Sequence, residues 1–375
     1  MIKLVAPGTA MIAVTYAFSR FSFGLFLPEI SDALHLSESQ SGFVGTLGYI
    51  SYAFALLCSN LMIKRFGQTI IIYACGITSV IGLLAIALSP NLFFLGIGIC
   101  TAGLGSGWSS PVYSKVAKTS LSLDKRDQAN SWMNTGTSFG VIISGPIALF
   151  FANHWRRAFL FFAFLSAITL IWNLIAIPSP SENDKNEMSF SLNYRALLSR
   201  TSYLLPASLL IGMSTSIYWT FSRSYLTAVY QLTTQISIAF WLVMGIAGIG
   251  GSFAGKLISL KGLSAAFRIF LILLMSSIAL IVISNTIALY SSAIIFGISY
   301  IAITGVLLVW GTRCFPESPY IGVSLSFFFL GIGQTIGSSL AGFSIEYLSY
   351  STSFLLFSGI GILALFMPIK TNHKY

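Results

Sequence analysis

The stretch Val5–Gln40 reads VAPGTAMIAVTYAFSRFSFGLFLPEISDALHLSESQ. It is apolar for about 24 residues, long enough for a helix to cross a bilayer, and it carries a full positive charge at Arg20. An arginine at the centre of a lipid-embedded helix costs about 2.5–3.5 kcal/mol on insertion scales, so Arg20 is expected to face protein or water. The triplet Phe18-Ser19-Arg20 recurs as Phe221-Ser222-Arg223. In both copies an aromatic residue stands four positions earlier, Tyr16 and Trp219. Positions i and i+4 share a helix face. The spacing therefore predicts two arginines, each beside a ring, converging on a negatively charged solute.

Outward from this stretch, composition supports the same solvent. The chain has 375 residues, 55% of them hydrophobic and 8% charged, where soluble domains run near a quarter charged. Mean hydropathy is +0.85. Apolar runs of about 18–24 residues recur about twelve times. Runs of that length satisfy their backbone groups as helices, so the expected class is an all-α integral membrane bundle with little room for a soluble domain. The N-terminal run is too long for a signal-peptide core and is expected to stay as the first span.

The net charge of +10 is explained by its placement. If the joints alternate from a cytoplasmic N-terminus, 16 of the 20 Lys and Arg fall inside, among them Lys64, Arg65, Lys115, Lys118, Lys125 and Arg126. Arg156 and Arg157 fall outside, and Arg20 and Arg223 lie within spans. That is the positive-inside pattern. It predicts a multi-pass protein of the cell (inner or plasma) membrane with both termini cytoplasmic, and it removes the reason to invoke nucleic acid. The expected partners are the lipid bilayer and a small-molecule solute, and the chain is expected to be a monomer. Cys58, Cys75, Cys100 and Cys314 show neither metal-ligand spacing nor a disulfide framework, so no metal or cofactor is expected. No G-x-S-x-G, H-E-x-x-H or Walker motif occurs, which argues against an enzyme or an ATP-driven pump.

The chain also repeats. Gly136, Gly140 and Gly145 recur as Gly333, Gly337 and Gly342 at an offset of 197. Leu36-Ser37 recurs as Leu232-Thr233 at 196, and Gly67 as Gly262 at 195. The Phe-Ser-Arg offset is 203, so about seven extra residues separate Arg20 from Leu36. Pro178 to Thr201 is the one long polar stretch and reads as a cytoplasmic linker. The expected organisation is a six-helix half over residues 1–177, a linker over 178–202 and a second six-helix half over 203–375. Two parallel halves around a midplane site form a transporter architecture.

With these elements in place the chain resembles the major facilitator superfamily over its full length. That family's joint between spans 2 and 3 reads roughly G-x-L-x-D-R-x-G-R; here it is NLMIKRFGQ, with Arg65 and Gly67 matching and Lys64 in place of the aspartate. Its second-half counterpart is GKLISLKG, with Gly255 and Gly262 matching. An arginine frequent in span 4 of the family is Ile99 here, so the charge network to which it belongs is missing at both ends. Gly136, Gly140 and Gly145-Pro146 resemble the family's span-5 antiporter motif. Trp155-Arg156-Arg157-Ala158-Phe159 and GIGQTIGSSLAGFSIEY are further family signatures. The resemblance implies the twelve-helix, two-half fold and alternating access, with the glycines serving packing and gating.

All ten acids are expected outside the spans, and His35, His154 and His373 in joints or the tail. A cavity with two positive groups and no negative one attracts anions. The expected substrate contacts are Arg20, Arg223, Tyr16, Trp219, Asn134 and Gln334. Glu29, at the rim, is the expected proton carrier if there is one. Tyr49, Tyr52, Trp108, Tyr113, Trp132, Tyr225, Trp241, Tyr300 and Trp310 are further aromatic candidates for the cavity, most of them expected as packing or interfacial belt residues. The leading expectation is a secondary transporter of a small organic anion of carboxylate or organophosphate type. The alternatives are an exporter of neutral amphipaths with structural arginines, and a non-transporting membrane receptor or scaffold.

Overall fold

The computed structural model describes residues 2–152, 154–177, 200–315 and 319–369. Among the described residues, ten apolar helical runs are long enough to cross a membrane. One of them, Thr234–Leu280, spans 47 residues and breaks at Gly262, where φ is 79° and ψ 164°. Tyr350–Phe366 adds a shorter apolar helix. The twelve spans are α1 (Ile2–Leu34), α2 (Glu38–Phe66), α3 (Gln68–Ala87), α4 (Leu92–Ser120), α5 (Gly136–Phe151), α6 (Trp155–Ala176), α7 (Leu204–Ala228), α8 (Thr234–Gly248, continuing to residue 261), α9 (263–280), α10 (Thr286–Cys314), α11 (Pro319–Tyr347) and α12 (Tyr350–Ile362 with a 3₁₀ end). The polar linker read over Pro178–Thr201 lies mostly outside the described residues.

Local chemistry explains where these helices start and stop. At one end of the bundle the joints are short, and side chains cap the helices that leave them. Ser37 and Gln40 form a reciprocal capping box on α2. Asn91, Thr233, Asn285 and Ser349 accept backbone N–H bonds at the starts of α4, α8, α10 and α12. Each cap satisfies a donor that the helix leaves orphaned. This end bears Glu29, Glu38 and Glu346 and is called the acidic end below. At the opposite end α2 turns into α3 through Gly67, and α8 into α9 through Gly262. Their φ values of +84° and +79° lie in the region that glycine enters without steric cost.

The two halves match in backbone detail. His35 closes α1 and Gln231 follows α7, both in the left-handed region at φ 52°, and they are 196 residues apart. The glycine repeats match as well. A methyl group on Gly136 would overlap the Thr9 carbonyl on α1, and one on Gly333 would overlap the Leu209 carbonyl on α7. Gly140 meets Ala13 and Ala17 of α1, as Gly337 meets Met213 of α7. Gly145 then crosses to Leu242 of α8 and Gly342 to Glu38 and Gly42 of α2. So α5 and α11 each lie against the central helix of their own half and reach into the other half. Pro146 sits inside α5 one residue after that crossing.

Burial sorts core from lipid face. The apolar windows of α1 and α7 are 89% and 78% buried, against 39–61% for the other long runs, so these two helices are the axis of the molecule. On α6, Leu160, Phe164, Ile168, Ile171, Trp172 and Ile175 are exposed at helical spacing, as a lipid-facing stripe requires. Arg156 stacks on Trp155 and donates to the Ser89 carbonyl at 2.9 Å, which ties the start of α6 to the end of α3.

Across the halves, a ladder of contacts closes the acidic end. Tyr350 donates to Glu38 at 2.5 Å. Ser37 Oγ and the Ser39 amide donate to Glu346 at 2.9 and 2.8 Å. Ser338 donates to the Gly42 carbonyl, and Thr46 to the Thr335 carbonyl, both at 3.0 Å. The ladder reaches the middle of the bundle where Gly331 packs on Tyr52.

Candidate substrate site

Helix α1 changes winding where it passes the centre. Ala13–Phe21 forms π-helical turns, in which the Ser22 amide reaches back five residues to the Ala17 carbonyl. Such segments are uncommon and occur frequently at functional sites. Arg20 lies within this segment and is 8% exposed. Its guanidinium carbon sits 3.7 Å from the Tyr52 ring centroid, with Tyr49 at 5.0 Å, Phe21 at 5.2 Å and Tyr16 at 5.8 Å. One terminal nitrogen donates to Gln334 Oε1 of α11. Gln334 in turn donates to the Tyr300 hydroxyl at 3.3 Å. Among the described residues no carboxylate lies within ion-pair distance of Arg20.

A small pocket opens beside this guanidinium, lined by Arg20, Phe23, Gly24, Gly45, Gly48, Tyr49, Ile99, Trp219 and Thr220. A methyl group on Gly24 would overlap the Trp219 carbonyl, so backbones of α1 and α7 touch here and form one wall. Trp219 stacks on Phe21 with centroids 4.1 Å apart and is edge-on to Tyr300 at 5.1 Å. One buried donor borders the pocket without a hydrogen-bond partner among the described residues, Arg20 Nε. An unmet buried donor costs free energy, and an acceptor entering the pocket would satisfy it.

Four of the expected residues thus meet: Arg20, Tyr16, Gln334 and Trp219. Tyr16 is half-buried, and its hydroxyl is 3.1 Å from Ser110 Oγ. The others are elsewhere. Arg223 is fully buried and does not join Arg20. It forms a two-pronged ion pair with Glu29, at 2.5 and 2.6 Å, and also donates to the Leu25 carbonyl and, at 3.0 Å, to Ser237. Glu29 is correspondingly not a free rim acid: it lies inside α1, 14% exposed, and neutralises Arg223. This corrects the expectations that the acids all sit outside the spans and that two unbalanced cations share one cavity. The reason is register. At the half-to-half offset of 196, Arg223 matches Leu27 and Arg20 matches Ser216, so the two Phe-Ser-Arg triplets stand about two helical turns apart in depth. Asn134 is also corrected. It ends a separate short helix, Leu123–Asn134, is exposed, and lies before α5 at the end opposite the acidic one.

Four residues join the site from outside the expected contact set, two of them, Tyr49 and Tyr52, from the wider group of aromatic candidates. Tyr49 and Tyr52 give Arg20 its nearest rings, and Ile99 lines the pocket at the position where the resembled family often has arginine. Thr220 is the fourth newcomer, its hydroxyl 3.4 Å from Tyr49 Oη. No spacing rule joins α2, α4 and α7 at one point, so only packing could reveal them.

The sequence profile of the Major Facilitator Superfamily matches residues 9–320. Among characterised proteins, the chain is 24% identical over 381 residues to the transcription regulatory protein OpdE of Pseudomonas aeruginosa, covering 96% of this chain and 92% of that one. It is 22% identical over 379 residues to the hexuronate transporter of Bacillus subtilis, covering 94% and 90%. Among solved structures, the nucleoside transporter NupG superposes with a TM-score of 0.81 at 14% identity, covering 97% of this chain and 98% of that one. The D-xylose–proton symporter gives 0.77 at 13% identity, covering 98% and 97%. At these identities the superpositions speak for the fold alone.

Proposed function

Because the chain belongs to the Major Facilitator Superfamily and is a multi-pass membrane transporter, we propose that its cargo is a small organic anion held by Arg20. The observation that carries this reading is the asymmetry between the two buried arginines. Arg223 has its carboxylate; Arg20 has a neutral amide, a ring of aromatic faces and an unmet Nε–H. A permanently charged guanidinium buried without a counter-ion is costly, and a visiting carboxylate supplies the missing charge bidentately. The hexuronate carried by the Bacillus subtilis relative is an anion of this kind, which supports the reading.

In the cycle we infer, residues 1–177 and 203–375 rock as units about the Arg20 level, joined by the linker 178–202. The acidic end faces outward and is sealed, with both termini cytoplasmic in the cell membrane. Substrate entering beside Arg20 displaces Gln334 Oε1 from the guanidinium. That bond joins α1 to α11, so binding loosens a tie between the halves at the moment the site is filled. Opening of the acidic end separates Arg223 from Glu29. Gly136, Gly140, Gly333 and Gly337 let α5 and α11 slide on the central helices, with Gly145, Pro146 and Gly342 at the crossings and Gly67 and Gly262 at the turns. Tyr16 and Trp219 flank the solute.

The test is thermal stabilisation of the purified protein by a panel of organic acids, organophosphates, cations and neutral dyes. Stabilisation by anions that disappears in Arg20→Gln is the expected result. Stabilisation by neutral dyes that survives Arg20→Gln supports an amphipath exporter instead.

A further inference from the structure

We propose that the Arg20 site is a single-charge filter: it accepts monoanionic carboxylates and rejects phosphate monoester dianions of the same scaffold. The proposal rests on the reading of Arg20 as the anion-binding group and goes beyond it by choosing between two classes of anion.

Two observations carry it. The first is the charge count. Arg20 and Arg223 are the two buried charged side chains among the described residues, and Glu29 cancels the second. One positive charge is left, so one negative charge makes the filled site neutral. A dianion leaves a net negative charge in a water-poor site, which is the costly case. The second is the wall. Tyr52, Tyr49, Phe21 and Tyr16 surround the guanidinium within 5.8 Å. Their π faces are electronegative; they favour the cation and oppose any surplus anionic charge.

The experiment is isothermal titration of the purified full chain with two matched series. One is glucose, glucuronate, glucose 6-sulfate and glucose 6-phosphate; the other is phenol, benzoate, phenyl sulfate and phenyl phosphate. Within a series the scaffold is constant and the charge runs from 0 through −1 to about −2. No carboxylate or histidine lines the pocket among the described residues, so changing pH between 8 and 5.5 acts on the ligand. At pH 8 the carboxylate and the sulfate should bind at least about tenfold tighter than the phosphate and the neutral parent, an interval of about 1.4 kcal/mol. Phosphate monoesters take up a proton near pH 6, so the phosphate should gain at least about tenfold on going to pH 5.5. The sulfate should stay constant, and the carboxylate, which ionises near 4, should change little. Arg20→Gln should erase the preference for charge. Phosphate binding as tight as carboxylate at pH 8, or no gain for phosphate on acidification, overturns the single-charge filter and leaves Arg20 as a general anion site. If no anion in either series binds better than its neutral parent, both the filter and the anion reading fall.

Discussion

Replacing Glu29 by Gln keeps the shape of the acid and removes its charge. Arg223 is fully buried and would keep the Leu25 carbonyl, Ser237 Oγ and one bond to the new amide oxygen, but lose the countercharge and one acceptor. Removing one partner of a buried pair costs about 3–5 kcal/mol because the remaining charge stays unpaired. Glu29 is 14% exposed, which argues for the low end, about 3 kcal/mol. The cost falls on the sealed arrangement, since an open acidic end lets water reach Arg223. At about 1.4 kcal/mol per tenfold, the ratio of sealed to open molecules should drop roughly a hundredfold. Thr220 lies in the pocket behind this seal and is 2% exposed, so it reports the opening. In a background lacking the four native cysteines, Thr220→Cys should resist an impermeant maleimide added from outside. Adding Glu29→Gln should make it label rapidly. Equal labelling of the two, in protein that elutes and melts normally, would refute the reasoning.

Other expectations follow from the same contacts. Gln334→Glu places a carboxylate on the guanidinium of Arg20 and should occupy the site from within. Anion binding should weaken by at least about tenfold at neutral pH, measured by titration, while Gln334→Leu should keep it. Gly24→Val would drive a side chain into the Trp219 carbonyl and should hold α1 and α7 apart, read as raised labelling at Thr220→Cys. Asn173 is buried and bonds Tyr113, Pro7 and Thr169 at 2.5–3.0 Å. Asn173→Leu should therefore cost about 1–3 kcal/mol in a denaturation assay and leave anion selectivity unchanged.

Much of the fold is written in local patterns that survive without tertiary knowledge. Apolar run length identifies the spans, Ser37, Asn91 and Ser349 mark helix starts, and the spaced glycines mark where backbones touch. Arg20 and Gln334 could be picked out because polar groups are expensive in lipid wherever they end up. Their contact could not, because α1 and α11 lie 314 residues apart. The Arg223 misreading shows two sequence signals in conflict. The triplet Phe-Ser-Arg is conspicuous, but the glycines, Leu36-Ser37 and the 196 offset shared by His35 and Gln231 fix the register, and that register puts Arg223 level with Leu27. Trp219 shows the limit of i, i+4 reasoning. Side chains lean toward the N-terminus of their helix, which carries the indole toward Phe21 and Tyr300. The π segment of α1 has no side-chain signature, since its wider turns are set by what packs around them.

The central claim is that Arg20 alone supplies the charge that holds the transported anion. It is tested most directly by measuring the dissociation constants of glucuronate and of its uncharged amide, glucuronamide, for the native protein and for Arg20→Gln. A hydrogen-bonded charged contact is worth about 1.5–3 kcal/mol. The native protein should therefore prefer the acid to the amide by at least about tenfold, and Arg20→Gln should bring the two together by weakening the acid. Equal affinity for acid and amide in the native protein, or a preference for the acid that persists without Arg20, would contradict the account.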